Sequence, residues 1–203
     1  PTIAEGEVTF RSDTGQLRWD VSEEGAGYFV VDTPRTKLLT GFVRGRTFQL
    51  GDVSLKIGTT RLDWVTISMV RLDGAGFGEK GRILVAATAA MQKRDAKLEN
   101  MGNNRITLRD QWGSEPVMCE GVPAEVVLPV VADRVTLYPL DEAGNRRGAV
   151  PVTGRQDKTQ VALSPEHRTV WYVQERRFGA PCRRSCLPPC CSSPVDCWAN
   201  RVS

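Results

Sequence analysis

Residues 64–72 read Trp64-Val65-Thr66-Ile67-Ser68-Met69-Val70-Arg71-Leu72. Val65, Ile67 and Met69 recur at every second position, and Arg71 follows in the same register. A period of two places alternate side chains on opposite faces of a strand, so this run predicts a strand with one face in a core. It ends in Asp73-Gly74-Ala75-Gly76, where an Asp-Gly pair supplies the positive φ of a tight turn.

The same alternation extends outward in both directions. Glu7 to Arg11 alternates, and Gln16 to Asp20 puts Leu17 and Trp19 on one face. Val53, Leu55 and Ile57 alternate with Ser54 and Lys56. Tyr28 to Val31 is a more continuous apolar run, as expected of a strand covered on both sides. Turn residues punctuate these runs at Asp13-Thr14-Gly15, Glu24-Gly25-Ala26-Gly27 and Gly51-Asp52. Short alternating runs with frequent turns predict an all-β fold, an antiparallel β-sandwich of jelly-roll or immunoglobulin-like type. Ala86 to Asn100 contains helix formers, but Arg82 to Ala87 reads better as a buried strand. A long polar loop is expected from about Gln92 to Arg109.

The predicted division is residues 1–120 as the sandwich and 121–175 as a second, smaller β-module. The module opens at Gly121-Val122-Pro123, with strands over Glu125–Val131, Arg134–Pro139, Thr159–Leu163 and Thr169–Gln174. A segment of this size is short of a core of its own and is expected to pack on the first. Residues 176–203 form a Cys/Pro/Arg-rich tail without periodicity, expected to be disordered or non-native.

Composition narrows the function classes. Hydrophobic residues make up 40% and charged residues 25% of the chain, which is globular rather than disordered. The net charge is +3, but five Arg and one Asp in residues 176–203 account for +4, leaving −1 for the rest. A near-neutral body lacks the basic face that nucleic-acid binding requires. No apolar run approaches the length of a membrane span, so no membrane partner is expected. The chain opens at Pro1 without a leader and reads as a fragment. Cys182, Cys186, Cys190, Cys191 and Cys197 lie in the tail, which leaves Cys119 alone in the body. The fold is therefore not expected to rest on disulfides, and the tail spacing matches no familiar zinc pattern.

Catalytic machinery is sparse. His167, the only histidine, sits in the turn-like Ser164-Pro165-Glu166-His167-Arg168, and no G-x-S-x-G elbow is present. Asp13, Asp20, Asp32, Asp63, Asp73, Glu99, Asp110 and Glu115 mostly occupy turn-like positions. Such carboxylates cap the backbone more often than they form a glycosidase pair. No cofactor is expected; loop oxygens would suit only a structural Ca2+, and no EF-hand spacing supports one. The binding candidates are aromatic, because sugar rings stack on exposed indole and phenol faces. Trp112, Tyr28 and Trp64 are the candidate carbohydrate-binding residues, with Trp112 in the polar setting Asp110-Gln111-Trp112-Gly113. Trp19 and Trp64 lie inside strand patterns and are expected in the core more often than at the surface.

Several segments carry a resemblance in their order and spacing. They include Ser12–Asp20, Phe29–Thr36, Met69–Gly74, Arg82–Thr88, Trp112-Gly113 with Pro116-Val117, and Glu120–Ala124. Together they resemble the C-terminal β-rich regions that follow the catalytic barrel in large bacterial glycoside hydrolases, of the kind found in planctomycetes and environmental genomes. Val135–Tyr138 and Thr169–Tyr172 are similar to the small final β-module of such chains. The resemblance implies a secreted or periplasmic parent whose catalytic glutamates lie upstream, so no catalytic residue carries over. The expected function is a non-catalytic carbohydrate-binding or accessory module, with a polysaccharide and the upstream catalytic domain as partners. The alternatives are a purely structural β-domain packing on a barrel and a small free-standing hydrolase using a carboxylate pair. Asp32-Thr33-Pro34-Arg35-Thr36 is expected to be a turn or a docking surface, since Pro34 interrupts strand pairing.

Overall fold

Residues 64–71 form a strand, and Val65, Ile67, Met69 and Arg71 all point inward. The structure is a computed structural model that describes residues 8–22, 26–43, 45–103, 105–155 and 157–176. The expectations for the tail, including its five cysteines, fall outside the described residues.

The described strands are numbered in chain order. The first six are β1 (Thr9–Arg11), β2 (Leu17–Asp20), β3 (Tyr28–Asp32), β4 (Thr36–Phe42), β5 (Thr47–Leu50) and β6 (Val53–Ile57). Next come β7 (Trp64–Arg71), β8 (Gly81–Thr88), β9 (Met91–Arg94), β10 (Glu99–Gly102), β11 (Arg105–Thr107) and β12 (Ser114–Cys119). The last are β13 (Ala124–Leu128), β14 (Val135–Pro139), β15 (Val152–Arg155), β16 (Lys158–Leu163) and β17 (Trp171–Arg176).

These strands build an all-β, two-layer sandwich. The large sheet has eight strands in the order β1-β2-β3-β4-β7-β8-β17-β14, and the small one has five in the order β15-β16-β13-β6-β5. Every strand pair is antiparallel. The core joins Leu39, Ile67 and Val85 of the large sheet to Leu55, Val126 and Val161 of the small one. Burying each such side chain contributes about 1.5–3 kcal/mol.

Residues 121–175 do join residues 1–120, and they do so strand by strand. β13 inserts between β6 and β16, and β17 between β8 and β14. Val126 and Leu137 belong to the same core cluster as Leu55 and Ile67. Neither sheet and no core is therefore bounded at residue 121. Such pairing joins residues far apart in the chain and leaves no mark on local periodicity.

β4 carries no clear alternation signal because Thr36, Lys37, Thr40 and Gly41 dilute it, yet it is a central strand. Thr33-Pro34-Arg35-Thr36 is the turn between β3 and β4, closed by the Thr36 amide on Thr33 Oγ1 at 2.8 Å. Pro34 thus ends β3 without breaking a ladder. Lys37 points inward but is neutralised by Asp32. Arg71, only 2% exposed, donates to the carbonyls of Glu79 at 3.2 Å and Lys80 at 2.6 Å. It thereby fastens the loop between β7 and β8.

The segment read as a long polar loop is instead two short antiparallel ribbons, β9 with β12 and β10 with β11. Every residue of β12 is exposed, so neither face meets a core that would impose an apolar rhythm.

Candidate functional site

Alternation that sends Val65, Ile67 and Met69 inward sends Trp64, Thr66, Ser68 and Val70 outward. On the outer face of the large sheet, pairing aligns Phe10, Trp19, Phe29, Thr40, Thr66 and Thr88 in one row across six strands. Five steps of about 4.8 Å make that row about 24 Å long. Phe42 and Trp64 pair at its side. The next row runs Leu17, Val31, Leu38, Ser68, Ala86 and Trp171. A third runs Thr36, Val70, Leu84, Val173 and Tyr138.

No charged residue occupies these three rows. The outer face of the small sheet is different, with Ser54, Gln160 and the Lys56–Glu125 ion pair at 3.6 Å. Over β2, β3, β4 and β7 the large sheet therefore turns an aromatic and aliphatic surface without charged side chains away from its own core. A solvated sheet face is ordinarily polar, and a large apolar one marks an interaction site.

Trp19 and Trp64 are 53% and 43% exposed. This corrects the expectation that both lie in the core. Trp19 rests against Phe10 at 5.7 Å between ring centroids, and Trp64 stands edge-on to Phe42 at 5.1 Å. The Thr40 and Thr66 hydroxyls pair beside Trp64 on the same face, hydrogen-bonded at 2.7 Å. Trp19, Phe29, Thr40, Phe42 and Trp64 line a shallow cleft of about 330 Å³ with no charged residue in its wall.

The sequence-named aromatics separate. Trp64 belongs to this cleft. Tyr28 touches its rim, but its pairing with Gly41 turns the ring to the opposite face. There the ring packs on Phe48 at 5.1 Å, beneath the guanidinium groups of Arg18 and Arg46. Its hydroxyl donates to Asp20 at 3.2 Å. Burial pushes the Tyr28 hydroxyl up, with Arg18 opposing and Asp20 reinforcing. Burial also acts to raise the Asp20 carboxyl, but hydrogen bonds from Ser22 and Tyr28 hold it below the usual carboxylate value. Tyr28 is thus a buttress between the sheets. Trp112 is 62% exposed and lies with the ribbons, in a separate hollow of about 290 Å³ shared with Leu62, Met91 and Ile106. Trp19, set aside in the sequence reading, and Phe42, not singled out there, both line the Trp64 cleft. The parity of each strand relative to its buried neighbours was the signal that could have found them.

A third cleft, of about 630 Å³, lies on the other flank of the large sheet. Trp171, Val117, Met118 and Leu140 form its apolar part, and Asp141, Glu142, Arg147 and Arg168 its charged part.

Several of the candidate acid–base groups are engaged in structure. His167 Nδ1 accepts from the Ser164 amide at 3.3 Å and lies 3.3 Å from the Tyr172 hydroxyl. Burial holds the His167 pKa below 6.5 against the pull of Glu166. Ser164 Oγ accepts from the Glu166 amide rather than meeting a base. Asp73 binds Arg82, Glu99 binds Arg109, and Glu115 pairs with Lys93 at 3.4 Å. Asp141 accepts from the Ala143 and Asn145 amides, which with the Asn145 side chain holds its pKa low. Among the described residues, no three His, Cys, Asp or Glu side chains gather into a ligand set.

Comparisons with protein-family models, with curated proteins and with solved structures found no match.

Proposed function

We propose that this chain is a non-catalytic carbohydrate-binding accessory module that lays a polysaccharide strand along the Trp19–Trp64 face of its large sheet. The observation that carries this reading is the row of three aromatics and three threonines, with no charged residue in it, on the outer face of the large sheet. Indole and phenyl faces pack against the CH surface of sugar rings, and nearby hydroxyls exchange hydrogen bonds with the sugar's own. A neutral wall favours a neutral glycan, because it asks no charge to be desolvated. Such a module raises the local concentration of substrate for a tethered enzyme. In keeping with the resemblance, the parent would be a secreted or periplasmic glycoside hydrolase.

The aliphatic row Leu17–Val31–Leu38 favours a second reading, in which this face packs on the catalytic domain of a longer chain. The deciding experiment is affinity electrophoresis and pull-down with a panel of soluble and insoluble polysaccharides, beside a reducing-sugar assay. Retardation without sugar release, lost in Trp19→Ala and Trp64→Ala, supports binding. Absence of retardation across the panel leaves the packing role. Sugar release that persists in preparations from a null host would overturn both.

A further inference from the structure

The large cleft differs chemically from the Trp19–Trp64 face, because it combines an apolar floor with Arg168, a cation that pairs with no acidic side chain among the described residues. Arg147 and Arg168 both border it, but they are not equivalent. Arg147 Nη1 donates to the carbonyls of His167 and Arg168, each at 3.2 Å, and its Nη2 lies 3.9 Å from Glu142. Arg147 therefore spends its donors holding the loop that carries Arg168. Asp141 is saturated by its own turn. Among the described residues no acidic side chain pairs with the Arg168 guanidinium.

Arg168 also sits where an arginine is backbone-strained. It closes the 3-10 turn Pro165–His167 with φ 50° and ψ 45°, a left-handed conformation that Gly or Asn adopts more cheaply. A strained residue with an uncommitted charge at the mouth of a cleft points to a ligand contact. Trp171, 45% exposed, supplies a flat apolar surface in the same cleft, with Met118 and Val117 on the ribbon side.

We infer that this cleft is a second glycan subsite, specific for a sugar ring that bears a carboxylate, as a hexuronic acid residue does. The ring packs on Trp171 and Met118, and the carboxylate takes the planar donors of Arg168, a pairing that guanidinium makes in two parallel bonds. This inference rests on the carbohydrate-binding reading but uses different residues from it, so the two can fail separately.

The test is calorimetric titration of the full chain with galacturonate and alginate oligosaccharides, and with the methyl-esterified galacturonate oligomer, which keeps the ring and loses the charge. Binding of an acidic oligomer is expected, about tenfold or more stronger than that of the ester, and weakening with salt. Arg168→Gln should reproduce the loss, Arg168→Lys should recover part of it, and Lys56→Ala, on the outer face of the small sheet, should leave it unchanged. Cys119, exposed and lining the cleft, is a reporter: bound acidic oligomer should slow its alkylation, read on the Cys119 peptide by mass spectrometry. Equal affinity for acid and ester, full affinity in Arg168→Gln with an unchanged thermal transition, or no binding of either acidic oligomer would each overturn the subsite. If neutral glycans still bound in those cases, the Trp19–Trp64 face would stand alone. Acidic binding that depends on Arg168 while neutral glycans fail would keep the subsite and remove the face.

Discussion

Replacing Trp64 with alanine tests the proposed binding face most directly. A tryptophan side chain presents about 250 Å² when fully open. At 43% exposure, about 110 Å² of Trp64 remains available to a ligand. Covering half to all of that area at about 25 cal/mol per Å² contributes about 1.4–2.7 kcal/mol, or about tenfold to a hundredfold in Kd. The cost to the fold is of the same order, because the buried remainder of about 140 Å² is worth up to about 3.5 kcal/mol at the same rate. The substitution removes the edge-on contact with Phe42, worth about 0.5–1.5 kcal/mol, and leaves the inward Val65, Ile67 and Met69 untouched. Affinity electrophoresis against whichever soluble polysaccharide retards the wild type gives the affinity, and urea unfolding gives the stability. The expected result is a Kd about tenfold or more weaker in a protein that still unfolds cooperatively. Trp112→Ala, altered in the separate ribbon hollow, should bind that polysaccharide like the wild type. If Trp64→Ala and Trp19→Ala both keep wild-type affinity while the protein as a whole binds, the ligand lies elsewhere and the reasoning fails.

Other expectations concern the frame that holds the face. Arg71→Ala should lower stability by about 3 kcal/mol, because two loop carbonyls lose a charged donor in a buried setting; a urea midpoint equal to wild type would contradict this. Gly41→Ala should be costly, since Gly41 has φ 133° and an added Cβ would lie 2.5 Å from the Gly27 carbonyl oxygen and Tyr28 Cα. The loss should appear as a lower Tm, and an unchanged Tm would show that β3 and β4 can separate freely. Stability should also fall as pH drops below about 6.5, because His167 is held neutral by burial and the unfolded chain takes up the proton first. Unfolding free energies at pH 7.5 and 5.5 check this, and His167→Gln should reduce the difference between them.

The proposed binding face was half legible in the sequence. Trp64 was named as a candidate, and the parity that turns it outward was visible once Val65, Ile67 and Met69 were read as core. Trp19 was set aside because alternation tells which residues share a face and not which face is buried. In this molecule the Leu17–Trp19 side of β2 is the exposed one. Tyr28 parts from Trp64 for the converse reason, since its partner Gly41 turns its ring to the side between the sheets. The charged cleft was not legible at all. Met118, Arg147 and the Arg168–Trp171 stretch come from three separate segments and meet only when β17 inserts beside β8 and the β9–β12 ribbon folds alongside.

Local chemistry alone therefore determined the all-β character, most strand positions and the turns, because alternation and Gly/Asp/Pro punctuation act over a few residues. The tertiary structure decided the rest. It paired β13 with β6 and β17 with β8 across long stretches of chain, which made residues 121–175 part of the same core. It also left Trp19 and Trp64 exposed on the outer face of the large sheet. Hydrogen-bonded ladders join strands by shape and register in space, and neither is written in the order of residues along one strand.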